Sequence, residues 1–147
     1  MMRSLHILAL LFLVAGPAAA VGPENSTLEA NPDYRDLRLV LAREDWRGAI
    51  PLLERLRGEF PSEPEIANWL GFVHRKLRDY PTARRFYDLA LELNPNYRPA
   101  LEYQGMWFIE TGDLASARAN LAPLEALCGR CHEWQDLNEA IERAGGS

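Results

Sequence analysis

Apolar and small residues recur along this chain with a period of 34 residues. Bulky apolar side chains and alanines occupy equivalent positions, 34 residues apart, in three successive copies. The equivalent residues are Trp46, Tyr80 and Leu114; Ala49, Ala83 and Ala117; Leu53, Tyr87 and Leu121; and Leu56, Ala90 and Leu124. A period of this length is typical of repeat proteins that stack one small structural unit.

Within each copy, the apolar positions predict two helices joined by a short turn. The first helix of the middle copy has apolar residues at helical spacing, namely Ile66, Trp69, Leu70 and Val73. Pro81 lies where the first turn of a second helix tolerates proline, and Asn94-Pro95 ends that helix. No segment alternates polar and apolar residues over strand length, so we predict an all-α chain.

The middle copy resembles the tetratricopeptide repeat (TPR) family. It supplies the family's characteristic residues Leu70, Gly71, Tyr80, Ala83, Tyr87, Ala90 and Pro95. His74 replaces the usual aromatic residue and Arg78 the usual glycine, and the third copy has Gln104 in place of the usual leucine. The resemblance implies a solenoid of three helix-turn-helix repeats, at about residues 30–63, 64–97 and 98–131.

Residues 132–147 follow the third copy, and they predict a capping helix and tail. An apolar stripe runs along this segment through Leu137, Ala140, Ile141 and Ala144. A solenoid leaves its last face bare unless an atypical helix covers it.

The first 20 residues predict a cleavable signal peptide. Arg3 precedes an apolar run from Leu5 to Ala15, and the small residues Ala18-Ala19-Ala20 predict cleavage after Ala20. The run is only about half as long as a membrane-spanning helix, so we predict no span in the mature chain. Residues 21–29 are interpreted as a flexible linker. In this organisation the chain is similar to small exported bacterial TPR proteins, which implies a periplasmic or secreted location.

The charge balance narrows the class of partner. The 147-residue chain has 16 basic and 21 acidic side chains and a formal charge of −5. A nucleic-acid binder normally presents a basic surface, so we predict no nucleic-acid partner. Neither a phosphate-binding glycine loop nor a recognisable nucleophile motif is present, and we therefore predict that the protein is not an enzyme.

The TPR resemblance implies a concave groove lined by the first helix of each repeat. The groove-facing positions are Tyr34, Arg35 and Arg38; Asn68, Phe72, Arg75 and Lys76; and Glu102, Tyr103 and Met106. Arginine can fork onto a carboxylate, asparagine can bridge backbone amides, and an aromatic ring can hold an apolar side chain. We therefore predict a scaffold or assembly factor that binds a protein or peptide partner. His74 aligns with a packed position, so it is interpreted as a core histidine.

Cys128, Cys131 and His132 form a C-x-x-C-H string with three open interpretations. The resemblance to exported TPR proteins, which carry a cysteine pair here, favours a local disulfide that contributes about 2 kcal/mol. The full string is also the pattern for covalent haem c attachment with His132 as iron ligand, which would make the chain an electron carrier. The third interpretation is a redox or metal site, although the strands of a thioredoxin-like context are missing.

Overall fold

The computed structural model describes residues 27–145, and these form a 3-10 turn at Leu28–Ala30 followed by eight α-helices. The helices are α1 Pro32–Ala42, α2 Trp46–Glu59, α3 Pro64–Lys76, α4 Tyr80–Leu93, α5 Arg98–Glu110, α6 Leu114–Ala119, α7 Leu121–Cys128 and α8 His132–Gly145. Residues 27–145 contain no strand, which confirms the all-α prediction. The predicted signal peptide lies outside the described residues.

The predicted linker overlaps the start of the folded chain. It was expected to extend to residue 29, but Leu28 is only 6% exposed and packs into the core of the first helix pair. Leu28 packs there because removing an apolar side chain from water stabilises the folded chain. Residues 21–26 lie outside the described part of the chain.

The second helix of every repeat begins from the same turn. Asp45, Asp79 and Asp113 each accept a hydrogen bond from the backbone N–H three residues ahead, at 2.9, 3.4 and 3.0 Å. Such a cap satisfies an N–H group that has no partner inside the helix. The residue before each cap has a positive φ, at Glu44 (56°), Arg78 (62°) and Gly112 (87°). The period of the sequence is therefore also a period of backbone conformation.

Close approach of helices explains the small residues of the repeat. A Cβ atom added at Gly71 in α3 would lie 2.6 Å from the ring of Tyr87 in α4. The equivalent Gly105 in α5 meets a different helix, because its added Cβ would lie 2.5 Å from the side chain of Leu137 in α8. The capping helix therefore packs directly into the last repeat.

The second helix of the third repeat is broken, whereas the sequence pattern predicted one continuous helix. α6 ends at Ala119 and α7 begins at Leu121. Pro123 explains the break, since its ring excludes the carbonyl four residues back, at Ala119, and it has no N–H to donate. The Asn120 side chain stabilises the break by donating to the Leu101 carbonyl at 2.9 Å and to the Gln104 amide oxygen at 3.2 Å.

Gln104 is buried where the repeat usually has leucine, and both polar atoms of its amide are hydrogen-bonded. It accepts from Asn120 and donates to the Asp88 carboxylate at 2.8 Å. Asp88 also accepts from Arg84 within α4. The substitution therefore replaces an apolar contact with a polar link between α4, α5 and the α6–α7 junction.

Candidate binding groove

The structure distributes the ten predicted groove residues over three levels of burial. Arg35, Arg38 and Lys76 are exposed, whereas Tyr34, Asn68 and Arg75 are buried. The remaining four, Phe72, Glu102, Tyr103 and Met106, are half-buried. The half-buried and exposed residues could touch a ligand, while the buried ones are better placed to support the surface beneath it.

Four half-buried rings form what we call the aromatic strip, which consists of Trp46, Trp69, Phe72 and Tyr103. Phe72 lies at its centre, with ring centroids 5.4 Å from Trp46, 5.4 Å from Trp69 and 5.3 Å from Tyr103. The rings come from α2, α3 and α5, so the strip crosses from the first repeat to the third. It provides an apolar surface that remains in partial contact with water.

Two cations lie over the aromatic strip. The Lys76 ammonium is 5.4 Å from the Trp46 centroid and 5.9 Å from that of Phe72. The Arg75 guanidinium is 5.5 Å from the Phe72 centroid and 5.9 Å from that of Tyr103. Cations at these distances are attracted to the ring faces, so three of the four rings, Trp46, Phe72 and Tyr103, have a positive charge beside them.

Arg75 is only 9% exposed, which corrects its expected role as a ligand-facing arginine. Its Nε donates to the Tyr87 hydroxyl at 3.2 Å, and its Nη1 donates to the Glu110 carboxylate at 2.6 Å. These bonds tie α3 to α4 and α5. Burial raises the pKa of Tyr87 above the ordinary tyrosine value, so its hydroxyl stays neutral.

Tyr34 is likewise a supporting residue and not an exposed one. Its hydroxyl donates to Glu65 in α3, and the same carboxylate oxygen accepts from the Trp69 indole at 3.3 Å. Burial, with help from the Glu65 hydrogen bond and charge, raises the pKa of Tyr34 to about 12. Glu65 thus holds α1 against α3 and orients one ring of the aromatic strip.

Asn68 is 2% exposed, and its Oδ1 has no hydrogen-bond partner among the described residues. Buried polar atoms are usually paired, so an unpaired amide oxygen calls for an explanation. Asn68 lies three residues after Glu65 and four before Phe72, on the same face of α3. The sequence predicted that this amide bonds to the backbone of a ligand, and a ligand would reach the buried oxygen only if the side chains that cover it moved.

The groove has an acidic end beside the capping helix. Burial, together with the nearby carboxylates of Asp136 and Glu133, raises the pKa of Glu102 to about 7. Glu133 itself lies 3.6 Å from the Arg98 guanidinium. This carboxylate cluster contrasts with the cations over the aromatic strip. The charge of the candidate groove therefore changes from positive to negative along its length.

Three residues of this surface escaped prediction from the sequence, namely Trp46, Glu65 and Trp69. Trp69 was assigned to the apolar core stripe of α3, but it is half-buried and hydrogen-bonded through its indole. A signal was present, since Glu65, Trp69, Phe72 and Lys76 follow one helical face at steps of four, three and four. His74 is packed as predicted, because it stacks on Phe86 at 5.7 Å and pairs with Asp79 at 3.0 Å.

The structure brings Cys128 and Cys131 together across the turn between α7 and α8. Their Cα atoms are 5.6 Å apart, within the usual range for a disulfide. The His132 side chain is 83% exposed and pairs with Asp136 at 3.2 Å, so a haem ligated there would be open to solvent on that side. The disulfide and the haem interpretations both remain predictions.

Residues 27–145 have the fold of a TPR solenoid, with three helix pairs and a capping helix as predicted. Residues 64–97 match the family model described as the tetratricopeptide repeat. Two solved structures share the fold. One is the TPR2B domain of yeast Sti1 in its pHsp70 complex, with a TM-score of 0.72 and 17% identity over 82% of this chain and 98% of that one.

The other is the first TPR of Spaghetti (RPAP3) bound to the HSP90 peptide SRMEEVD. Its TM-score is 0.67, with 18% identity over 77% of this chain and 90% of that one. No curated protein matches the sequence. Among residues 27–145, no helix is both long and apolar enough to cross a bilayer.

Proposed function

We propose that this chain is an exported, non-catalytic TPR protein that binds a peptide segment of a protein partner, acting as a scaffold or assembly factor. The aromatic strip is the observation that carries the proposal. Rings that are half in water and already in contact with one another offer an apolar surface that need not reorganise on binding. Aromatic residues and arginine are also the types enriched at protein interfaces.

The polar residues around the aromatic strip suit an extended peptide. Arg35, Arg38 and Lys76 are exposed for acidic side chains, and the unpaired amide oxygen of Asn68 would accept a backbone N–H if the side chains that cover it moved on binding. The acidic end at Glu102 would favour a basic side chain. The two structural neighbours, one in a pHsp70 complex and one bound to an HSP90 peptide, support peptide binding as a use of this fold.

Export and the cysteine pair belong to the same proposal. The apolar run of residues 5–15 and the small residues before position 21 support secretion. An exported protein meets an oxidising compartment, and the Cα separation of 5.6 Å supports a disulfide between Cys128 and Cys131. The cell fraction in which the protein is recovered tests export, and the N-terminal sequence of the exported protein tests cleavage after Ala20. Recovery from the cytoplasm alone would contradict export, and an intact residue 1 would contradict cleavage.

Selection of peptides from a random library tests the binding proposal. Phe72→Gln makes the centre of the aromatic strip polar, and Phe86→Gln is the matched control, since Phe86 is a half-buried ring on the second helix α4. We expect selected peptides to bind the Phe72 variant about tenfold or more weakly, because a buried aromatic contact stabilises by about 1.5–3 kcal/mol. They should bind the control as they bind the wild type.

Thermal unfolding of both variants shows whether each remains folded. If no peptide is enriched on the wild-type protein, or if the Phe72 variant binds the selected peptides with unchanged affinity, the groove is not the binding site.

A further inference from the structure

A cavity of about 320 Å³ lies next to the aromatic strip, where α3 ends and α5 ends. Its walls are Arg75, Lys76, Arg78, Tyr80 and Glu110. Lys76 belongs to both features, because its ammonium lies over the Trp46 and Phe72 rings. A ligand on the strip can therefore reach the cavity without crossing a gap.

The cavity has an excess of positive charge. It is lined by three cationic side chains and one carboxylate. Arg75 and Glu110 already pair at 2.6 Å, and Arg75 is nine-tenths buried in that arrangement. Lys76 and Arg78 make no salt bridge with any carboxylate in the described part of the chain. Two positive charges thus remain uncompensated.

Helix-end chemistry does not account for these two cations. Basic side chains often lie at helix C-termini because they complement the free carbonyls there. At the end of α3, however, the carbonyls of Val73, His74 and Arg75 accept from the N–H groups of the following turn, at 3.0, 2.9 and 2.9 Å. The carbonyls are satisfied by backbone, so the side chains are available for another partner.

The turn does not require an arginine at position 78 either. The same turn position holds Glu44 in the first repeat and Gly112 in the third, and all three have positive φ. The arginine side chain is therefore a property of this cavity and not of the repeat.

We propose that the cavity binds a dianionic group on the peptide that lies in the groove, either a phosphorylated side chain or two adjacent carboxylates. The inference rests on the proposed peptide-binding function and adds the chemistry that the peptide must carry. Two uncompensated cations match two negative charges, and the Tyr80 side chain lines the same cavity. Charge-assisted hydrogen bonds from arginine to phosphate or carboxylate are among the strongest that proteins make. The residue next to the dianion in the peptide would lie on the aromatic strip.

Arg78→Gly provides a variant that should not fail through misfolding. Glycine adopts positive φ more readily than arginine, so the substitution removes the charge and favours the same turn. Glu44→Gly is the matched turn control, and Arg85→Gln is a control for loss of an exposed positive charge on α4.

The probes are three short peptides, each an acetylated tryptophan and glycine followed by phosphoserine, serine or two aspartates, together with inorganic phosphate. Chemical shifts of the Lys76, Arg78 and Glu110 amides report binding to the purified protein. We expect at least one dianionic peptide to bind about tenfold more tightly than the serine peptide, and Arg78→Gly to abolish that difference. Both control variants should retain it, and added salt should reduce it.

Comparison of the two dianionic peptides shows whether phosphate or paired carboxylates are preferred. Equal binding of all three peptides, or a preference that survives Arg78→Gly, would overturn the dianion site. If Phe72→Gln still weakens every peptide in that case, the proposed groove function stands by itself. Inorganic phosphate that binds as tightly as the phosphoserine peptide would also overturn the proposal, in favour of a site for a free anion.

Discussion

At the scale of single residues, the repeat depends on positions where the backbone leaves little choice. The turn before each second helix needs positive φ, and only the third repeat supplies glycine there. Glu44 and Arg78 adopt the same conformation with a side chain, which is unfavourable by about 1–2 kcal/mol per residue. The sequence pattern marked Arg78 as a departure from the usual glycine, and the structure shows that the turn kept its shape.

Glu44→Gly should therefore stabilise the protein. Relief of the left-handed conformation exceeds the extra entropy that glycine gives the unfolded chain, so we expect the free energy of unfolding to rise by about 0.5–1 kcal/mol. Urea denaturation measures it. Arg43→Gly is the neighbouring control, because Arg43 has φ of −91° and glycine brings no relief there. Equal effects of the two substitutions would argue against strain at Glu44.

Substitution of Gly71 by alanine should instead destabilise the protein. Alanine there would place a methyl group 2.6 Å from the Tyr87 ring, and overpacking of this kind destabilises by about 1–3 kcal/mol. Gly58 in α2 has no atom within 4 Å of an added Cβ, so Gly58→Ala should stabilise by about 0.5–1 kcal/mol through helix propensity. Thermal unfolding of the pair compares them, and a stable Gly71→Ala protein would mean that α3 and α4 can separate freely.

At the scale of helices, start and stop signals decide the boundaries more than apolar periodicity does. The aspartate caps and Pro123 are visible in the sequence, and together they explain where α2, α4 and α6 begin and why α6 ends. Two other features were not predictable. The insertion of Leu137 against Gly105 depends on how α8 docks, and the burial of Gln104 depends on partners in α4 and at the α6–α7 junction.

Acid should destabilise the N-termini of α4 and α6, which Asp79 and Asp113 cap. Hydrogen bonds from Thr82 and Ser116 hold the pKa of Asp79 and of Asp113 below the ordinary value of 3.8. A carboxylate whose pKa is lower in the folded state stabilises the fold above its unfolded pKa, and this contribution disappears as the pH falls through the folded pKa. We therefore expect stability to fall below about pH 4.

Asp113→Asn tests the origin of that loss. Asparagine can still cap Ser116 but does not titrate, so the difference in urea midpoint between neutral and acid solution should be smaller than in the wild type. Asp113→Ala, which removes the cap altogether, should be less stable at both pH values. If the asparagine variant loses as much stability in acid as the wild type, the cap is not responsible.

At the scale of the whole molecule, the repeat period predicted the architecture because each helix pair packs mainly on its neighbours. The groove was less predictable. Tyr34 and Arg75 occupy groove positions, but carboxylates 31 and 35 residues away bind their side chains and draw them inward. Alignment to a repeat gives the place of a Cα atom, whereas the partner of a long polar side chain depends on the next repeat. Signal peptide, export and cysteine chemistry remain predictions.

The cysteine pair should affect only the end of the solenoid. A bond between Cys128 and Cys131 closes a very short loop, so reduction should lower the free energy of unfolding by about 2 kcal/mol. Urea denaturation with and without reductant measures this, and Cys128→Ser/Cys131→Ser should match the reduced protein. Intact mass after thiol alkylation should show no labelled cysteine in the exported protein. Two labelled thiols would exclude the disulfide.

The aromatic strip also allows peptide binding to be followed by the intrinsic tryptophan fluorescence of the protein. Trp46 and Trp69 belong to the aromatic strip, where a peptide bound as proposed would displace water and shift the Lys76 ammonium. Trp107 donates to the Tyr80 carbonyl, and Trp134 on α8 is partly buried against the core of the last repeat. Occupancy of the groove would therefore change the fluorescence of one pair of indoles and leave the other as an internal reference, so affinities could be measured without any attached dye.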